Sequence, residues 1–95
     1  MPFDNLVLRV HAIRRMFSRS IGLQEVKRVL KSGKKIETYP SDKPFPSYLM
    51  LGFIDHKAIH VVAADDNETK QTIIITVYEP DPQKWDNKFE KRRGI

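Results

Sequence analysis

The spacing of apolar side chains changes once along this chain, near Lys34, and that change sets the fold class. Before it, Val10, Ile13 and Phe17 recur at i, i+3 and i+7, with Leu6 a turn earlier. This is the repeat of a helix that buries one stripe. It predicts a first helix over residues 5–19, with Asp4 as N-cap because its carboxylate can accept from an orphan N–H of the first turn. A second helix is expected over residues 23–31, burying Val26, Val29 and Leu30 and ending at Gly33, a residue that tolerates the left-handed conformation of a C-terminal cap.

After Lys34 the period becomes two. Strands are expected over residues 35–39, 48–54, 58–64 and 72–78, the last rich in β-branched Ile73, Ile74, Ile75 and Val77, as a central strand requires. Pro40, Pro44 and Pro46 keep the segment between the first two strands out of any ladder. Asp81-Pro82 offers an N-cap followed by proline at the first helical position, and Trp85 and Phe89 at i, i+4 would dock a short C-terminal helix. The expected order is α-α-β-β-β-β-α: an α+β fold with two N-terminal helices packed on a mainly antiparallel four-stranded sheet.

Ninety-five residues form one modest domain, too small for a dinucleotide fold or a large multi-part active site. Apolar residues make up 40% of the chain, enough for a core, and no apolar run approaches the roughly 20 residues of a membrane span. Met1-Pro2-Phe3-Asp4 does not read as a secretory leader. There is no cysteine, so disulfides, thiol nucleophiles and thiolate metal sites are excluded. A cytoplasmic protein without metal or cofactor is expected.

Charge is unevenly distributed. Residues 1–35 hold nine basic side chains against Asp4 and Glu25, while the remainder is slightly acidic and the whole carries +5. A positive first third suits a polyanion or an acidic partner, or equally a solvated pair of helices. His11, Arg15 and Arg19 are spaced i, i+4 and i+8 along one helix face, with Arg14 beside them. Guanidinium forks match a phosphodiester, and an imidazole can move a proton near neutral pH. The plainer alternative is a basic face with an incidental histidine.

His60 lies inside an apolar strand, on the face it shares with Val62 and Ala64. Thr76 and Tyr78 share one face of the last strand. If that face is uncovered and the register is right, His60, Thr76 and Tyr78 would form a surface able to stack a base and bond a ribose. Otherwise His60 is a core histidine bonded to a carbonyl and Tyr78 lies at the rim of the core. Both readings stay open at this point. Lys34 and Lys35 are added, with Arg14 and Thr76, as expected RNA contacts. His11, His56 and His60 lack metal-ligand spacing, and four scattered glycines make no phosphate-cradling loop.

The segment from His11 through Arg15-Met16 and Arg19 to Ile21 is similar to the helical signature of a known family. Ile36 to Pro40 with Asp42, and Pro46 to Gly52, resemble its middle; His60-Val61-Val62 and Ile74 to Pro80 resemble its closing strands. The family is the bacterial domain of unknown function DUF4258. It is grouped with the barnase–EndoU–colicin–RelE-like ribonuclease fold of many toxin–antitoxin pairs, so the resemblance implies a metal-independent endoribonuclease toxin restrained by a cognate antitoxin, of zinc-finger type in many pairs.

Cleavage of RNA without a metal needs a base for the 2′-hydroxyl, charge stabilisation at phosphorus and an acid for the leaving oxygen. Here His11 and His60 would share the acid and base duties, Arg15 and Arg19 would hold the phosphate, and Tyr78 would bond the ribose or base. This requires the first helix and the late strands to converge on one hollow. The rival expectation is a non-catalytic module that binds RNA or a protein through the same surfaces.

Overall fold

The computed structural model describes residues 5–94. In chain order its elements are β1 (Leu6–Leu8), α1 (Val10–Arg19), α2 (Leu23–Ser32), β2 (Lys34–Tyr39), β3 (Ser47–Ile54), β4 (Lys57–Asp66) and β5 (Gln71–Tyr78). The strands form one mixed sheet in the order β1-β5-β4-β3-β2, antiparallel except for the β1–β5 pair. The sheet therefore has five strands where four were expected. Each of the four expected strands appears, lengthened by one to three residues.

The extra strand takes the first turn of the expected helix. Leu6, Val7 and Leu8 run alongside Thr72, Ile73 and Ile74. Thr72 N–H donates to the Asn5 carbonyl (3.0 Å) and Arg9 N–H to that of Ile74 (3.2 Å). Ladder bonds to an existing strand outweigh intrinsic helix propensity, which amounts to only a few tenths of a kcal/mol per residue (about 0–0.7 for ordinary residues). Helix α1 consequently starts after an extended Arg9 that makes no side-chain cap, and the expected cap, Asp4, lies outside the described residues.

Both helices pack on one face of the sheet. Ala12, Met16, Ile21, Val26, Val29 and Leu30 meet Met50, Ile54, Ile59, Val61, Ala63, Ile74 and Val77 in a single core. The three positions expected to be buried on α2 are buried. On α1 the expectation fails: Ala12 and Met16 face inward, whereas Val10, Ile13 and Phe17 are 63%, 49% and 89% exposed. A methyl side chain at Ala12 lets the helix lie close on the sheet, and flexible Met16 fills the space beside it. The stripe with the larger side chains is turned outward.

Gly33 departs from its expected role. Its φ is −79°, not left-handed, and the left-handed cap belongs to Ser20 (φ 56°) at the end of α1. A Cβ at Gly33 would collide with the carbonyl oxygens of Val29 and Leu51, so glycine is required there by close backbone approach. Between β3 and β4, Asp55 and His56 have φ of 51° and 68°, the positive pair of a two-residue hairpin turn.

The expected C-terminal helix is absent among the described residues. Asp81 starts one turn, accepting from the N–H groups of Lys84 and Trp85 through its carbonyl. Asp86 then captures the N–H groups of Lys88 (3.1 Å) and Glu90 (3.0 Å) with its carboxylate. Local side-chain acceptors of this kind compete with helix propagation. The segment closes on itself through a bridge between Trp85 and Arg92.

Candidate functional site

Alternation along the strands assigns the remaining side chains to the face opposite the helices. Val61 and Val77 point into the core, so their neighbours His60 and Tyr78, paired across β4 and β5, point away from it. Thr76 opposite Val62 does the same, as do Glu37 opposite Leu49 and Tyr39 opposite Ser47 on β2 and β3. The C-terminal segment lies over this face.

His60 is fully enclosed there. Its Nε2 is 2.9 Å from the Phe89 carbonyl and its Nδ1 3.2 Å from the Tyr78 hydroxyl. The carbonyl can only accept, so Nε2 carries the proton and Nδ1 accepts from the tyrosine. Trp85 and Tyr78 meet the imidazole edge-on, with centroids at 4.5 and 5.2 Å. Burial pushes the pKa of His60 below its ordinary value, and the nearby Arg92 adds to this against the opposing pull of the Phe89 carbonyl and Glu37. The residue is therefore a neutral, doubly bonded core histidine, the plainer of the two alternatives read from the sequence.

Around it, Arg92 forks onto Glu37 at 3.2 and 3.3 Å and covers the Trp85 ring at 4.6 Å. Tyr39 also donates to Glu37. Burial raises the Glu37 carboxyl, but bonds from Tyr39 and Arg92 more than offset it and hold it below the usual range. Burial and the same carboxylate push Tyr39 up to about 12, and burial raises Tyr78. Among the described residues no buried side-chain polar atom lacks a partner.

The other face carries the cations. His11, Arg14, Arg15 and Arg19 are all exposed on α1, and Arg28 and Lys31 on α2. Glu25 is the one acidic residue of this layer, and its carboxylate caps α2 by accepting the Gly22 N–H at 2.8 Å. Lys34 pairs with Glu90 at 3.0 Å, and Lys35 sits 4.4 Å over the Tyr48 ring. Arg9, Arg14, Arg15, Arg19, Lys27, Arg28 and Lys31 form neither an ion pair nor a side-chain hydrogen bond among the described residues. Where α2 ends beside β3, a cleft of about 380 Å³ is lined by Arg28, the Lys34–Glu90 pair and half-exposed Phe53.

The structure thus brings His60, Thr76 and Tyr78 to one face, and His11, Arg14, Arg15 and Arg19 to the other. The single hollow expected to unite them is overturned, because the sheet stands between the two groups. Reasoning from the sequence missed Glu37, Tyr39, Trp85, Phe89 and Arg92 as the neighbours of His60. The period-two pairing of Glu37 with Tyr39 was a legible signal, but their approach to Arg92, fifty-five positions along the chain from Glu37, was not.

Among the described residues no helix is long and apolar enough to cross a membrane, and no three His, Asp or Glu side chains are grouped to hold a metal. The profile of a family described as Domain of unknown function (DUF4258) matches residues 8–79. No curated protein and no solved structure matches the chain.

Proposed function

Because the chain belongs to the family described as Domain of unknown function (DUF4258), whose description assigns no activity, we propose a function from geometry: a non-catalytic RNA-binding module that grips phosphates through its helical layer. The observation that carries this reading is the row of unpaired cations on α1 and α2, interrupted only by Glu25. Such cations displace the counterions condensed on a polyanion, and the release drives binding. Phe53, lining one cleft with Arg28 at the end of α2, adds a ring on which a base can stack, the second ingredient of single-strand binding surfaces.

The distribution of acid–base groups supports a binding rather than a cleaving role. His11 stands alone among arginines, while His60 is walled in with both nitrogens committed. Neither imidazole can hand a proton to the site of the other. The two-histidine mechanism expected from the sequence therefore has no common substrate position.

The test is a titration of labelled single-stranded RNA at several salt concentrations. Affinity is expected to fall steeply with salt. Arg14→Gln, Arg15→Gln and Arg19→Gln are each expected to flatten the slope by about 0.7, the share of one neutralised phosphate on a single strand. No binding at low salt refutes the reading. Fragments ending in 2′,3′-cyclic phosphate, abolished by His11→Ala, would replace it with the RelE- or barnase-like endoribonuclease toxin and its antitoxin.

A further inference from the structure

The most anomalous surface of the molecule is the one that sequence periodicity assigns to the core. Val10, Ile13 and Phe17 occupy one outward stripe of α1, and Phe17 is almost completely exposed. Two cations sit within it: Arg14 lies one turn from both Val10 and Phe17, and Arg9 one turn before Ile13. Neither arginine has an ion pair or side-chain hydrogen bond among the described residues. Helix α1 itself contains no acidic residue.

We propose that this stripe docks an acidic protein segment with apolar anchors, whose carboxylates meet Arg9 and Arg14 while its hydrophobic side chains cover Ile13 and Phe17. The proposal goes beyond RNA binding, because aliphatic Val10 and Ile13 offer nothing to a phosphate. A second copy of the chain fits poorly: it would bring +5 against +5, with the same two arginines on each side. A lipid surface fits poorly as well. An in-plane helix inserts along its whole apolar face, whereas Ala12 and Met16 are already committed to the sheet. Three exposed anchors are a typical size for the centre of a protein interface, where an aromatic and its neighbours supply most of the affinity.

The experiment uses the intact chain and two synthetic helical peptides with identical leucine spacing, one with glutamate and one with lysine at every other position. Fluorescence anisotropy is expected to show the glutamate peptide binding at least tenfold more tightly than the lysine peptide. Amide shifts should centre on Val10, Ile13 and Phe17. The double variant Ile13→Ser/Phe17→Ser should weaken the glutamate peptide at least tenfold with little change in Tm or circular dichroism, because Phe17 is almost wholly and Ile13 about half in solvent.

Equal binding of the two peptides, or binding indifferent to the double variant, overturns the proposal. So does stripe-dependent binding to phosphatidylglycerol vesicles in place of the peptide, or stripe-dependent dimerisation. RNA affinity of the double variant should stay within twofold of the native chain. A tenfold fall would make the stripe part of the RNA face and would likewise overturn the proposal.

Discussion

His60 ties three parts of the structure together. It joins β4 to β5 through Tyr78 and ties the C-terminal segment to both through the Phe89 carbonyl. His60→Leu would leave that carbonyl and the Tyr78 hydroxyl without their partner, which costs about 1–3 kcal/mol. The pH dependence has a definite sign. Burial depresses the folded-state pKa of His60, so the unfolded chain binds the proton more readily. The stabilisation is fully present above the ordinary value of 6.5 and is lost as pH falls from there toward the folded pKa. Thermal unfolding of the native chain should therefore weaken between pH 7 and pH 5 more than that of His60→Leu. Parallel Tm profiles for the two proteins would show that the imidazole is not kept neutral by the fold.

At the scale of elements, the C-terminal segment substitutes for a helix. Trp85 is buried against His60 beneath the Arg92 guanidinium, and Arg92 in turn forks onto Glu37 of β2. A segment without regular structure is held by one aromatic anchor, the His60 bond to the Phe89 carbonyl, the Lys34–Glu90 pair and the Arg92–Glu37 pair. The anchor dominates, since the pairs are partly in water and such pairs contribute little. Trp85→Ala is expected to cost about 3–5 kcal/mol in urea unfolding, and Arg92→Gln well under half of that. If Trp85→Ala costs less than about 1 kcal/mol, the segment is not packed as described. The sheet edge at β1 is a different case: its three residues are held by backbone bonds to β5, with Leu6 and Leu8 packed against the core.

Across the whole molecule, the two faces of the sheet divide the labour. The helical face is cationic and open, and the other is enclosed by a bonded aromatic and charged cluster. Apart from the ion pair of Lys34 with Glu90 where α2 ends, their side chains share no partner among the described residues, so changes elsewhere on one face should not be felt on the other. Arg15→Gln/Arg19→Gln should weaken RNA binding without moving Tm. Below its own unfolding range, His60→Leu should lower Tm without moving RNA affinity. Reciprocal effects, read by calorimetry and anisotropy on the same preparations, would show that the sheet couples the faces and would refute this division.

Local chemistry carried much of this architecture. The period change at Lys34, the β-branched run from Ile73 to Val77, and Val26, Val29 and Leu30 on α2 follow from side-chain spacing alone, because each element buries one face whatever its partner. The basic first third was equally plain. The sequence alone did not reveal which stripe of α1 turns inward, since Ala12 and Met16 and the larger Val10, Ile13 and Phe17 both repeat at helical spacing. That choice was made by how closely the helix can lie on β5. Tertiary contacts also decided that Leu6 to Leu8 pair as a strand, and that Asp86 folds the tail onto His60. Separation of the histidines followed from strand register and helix placement together, and these depend on the positions of residues far apart along the chain.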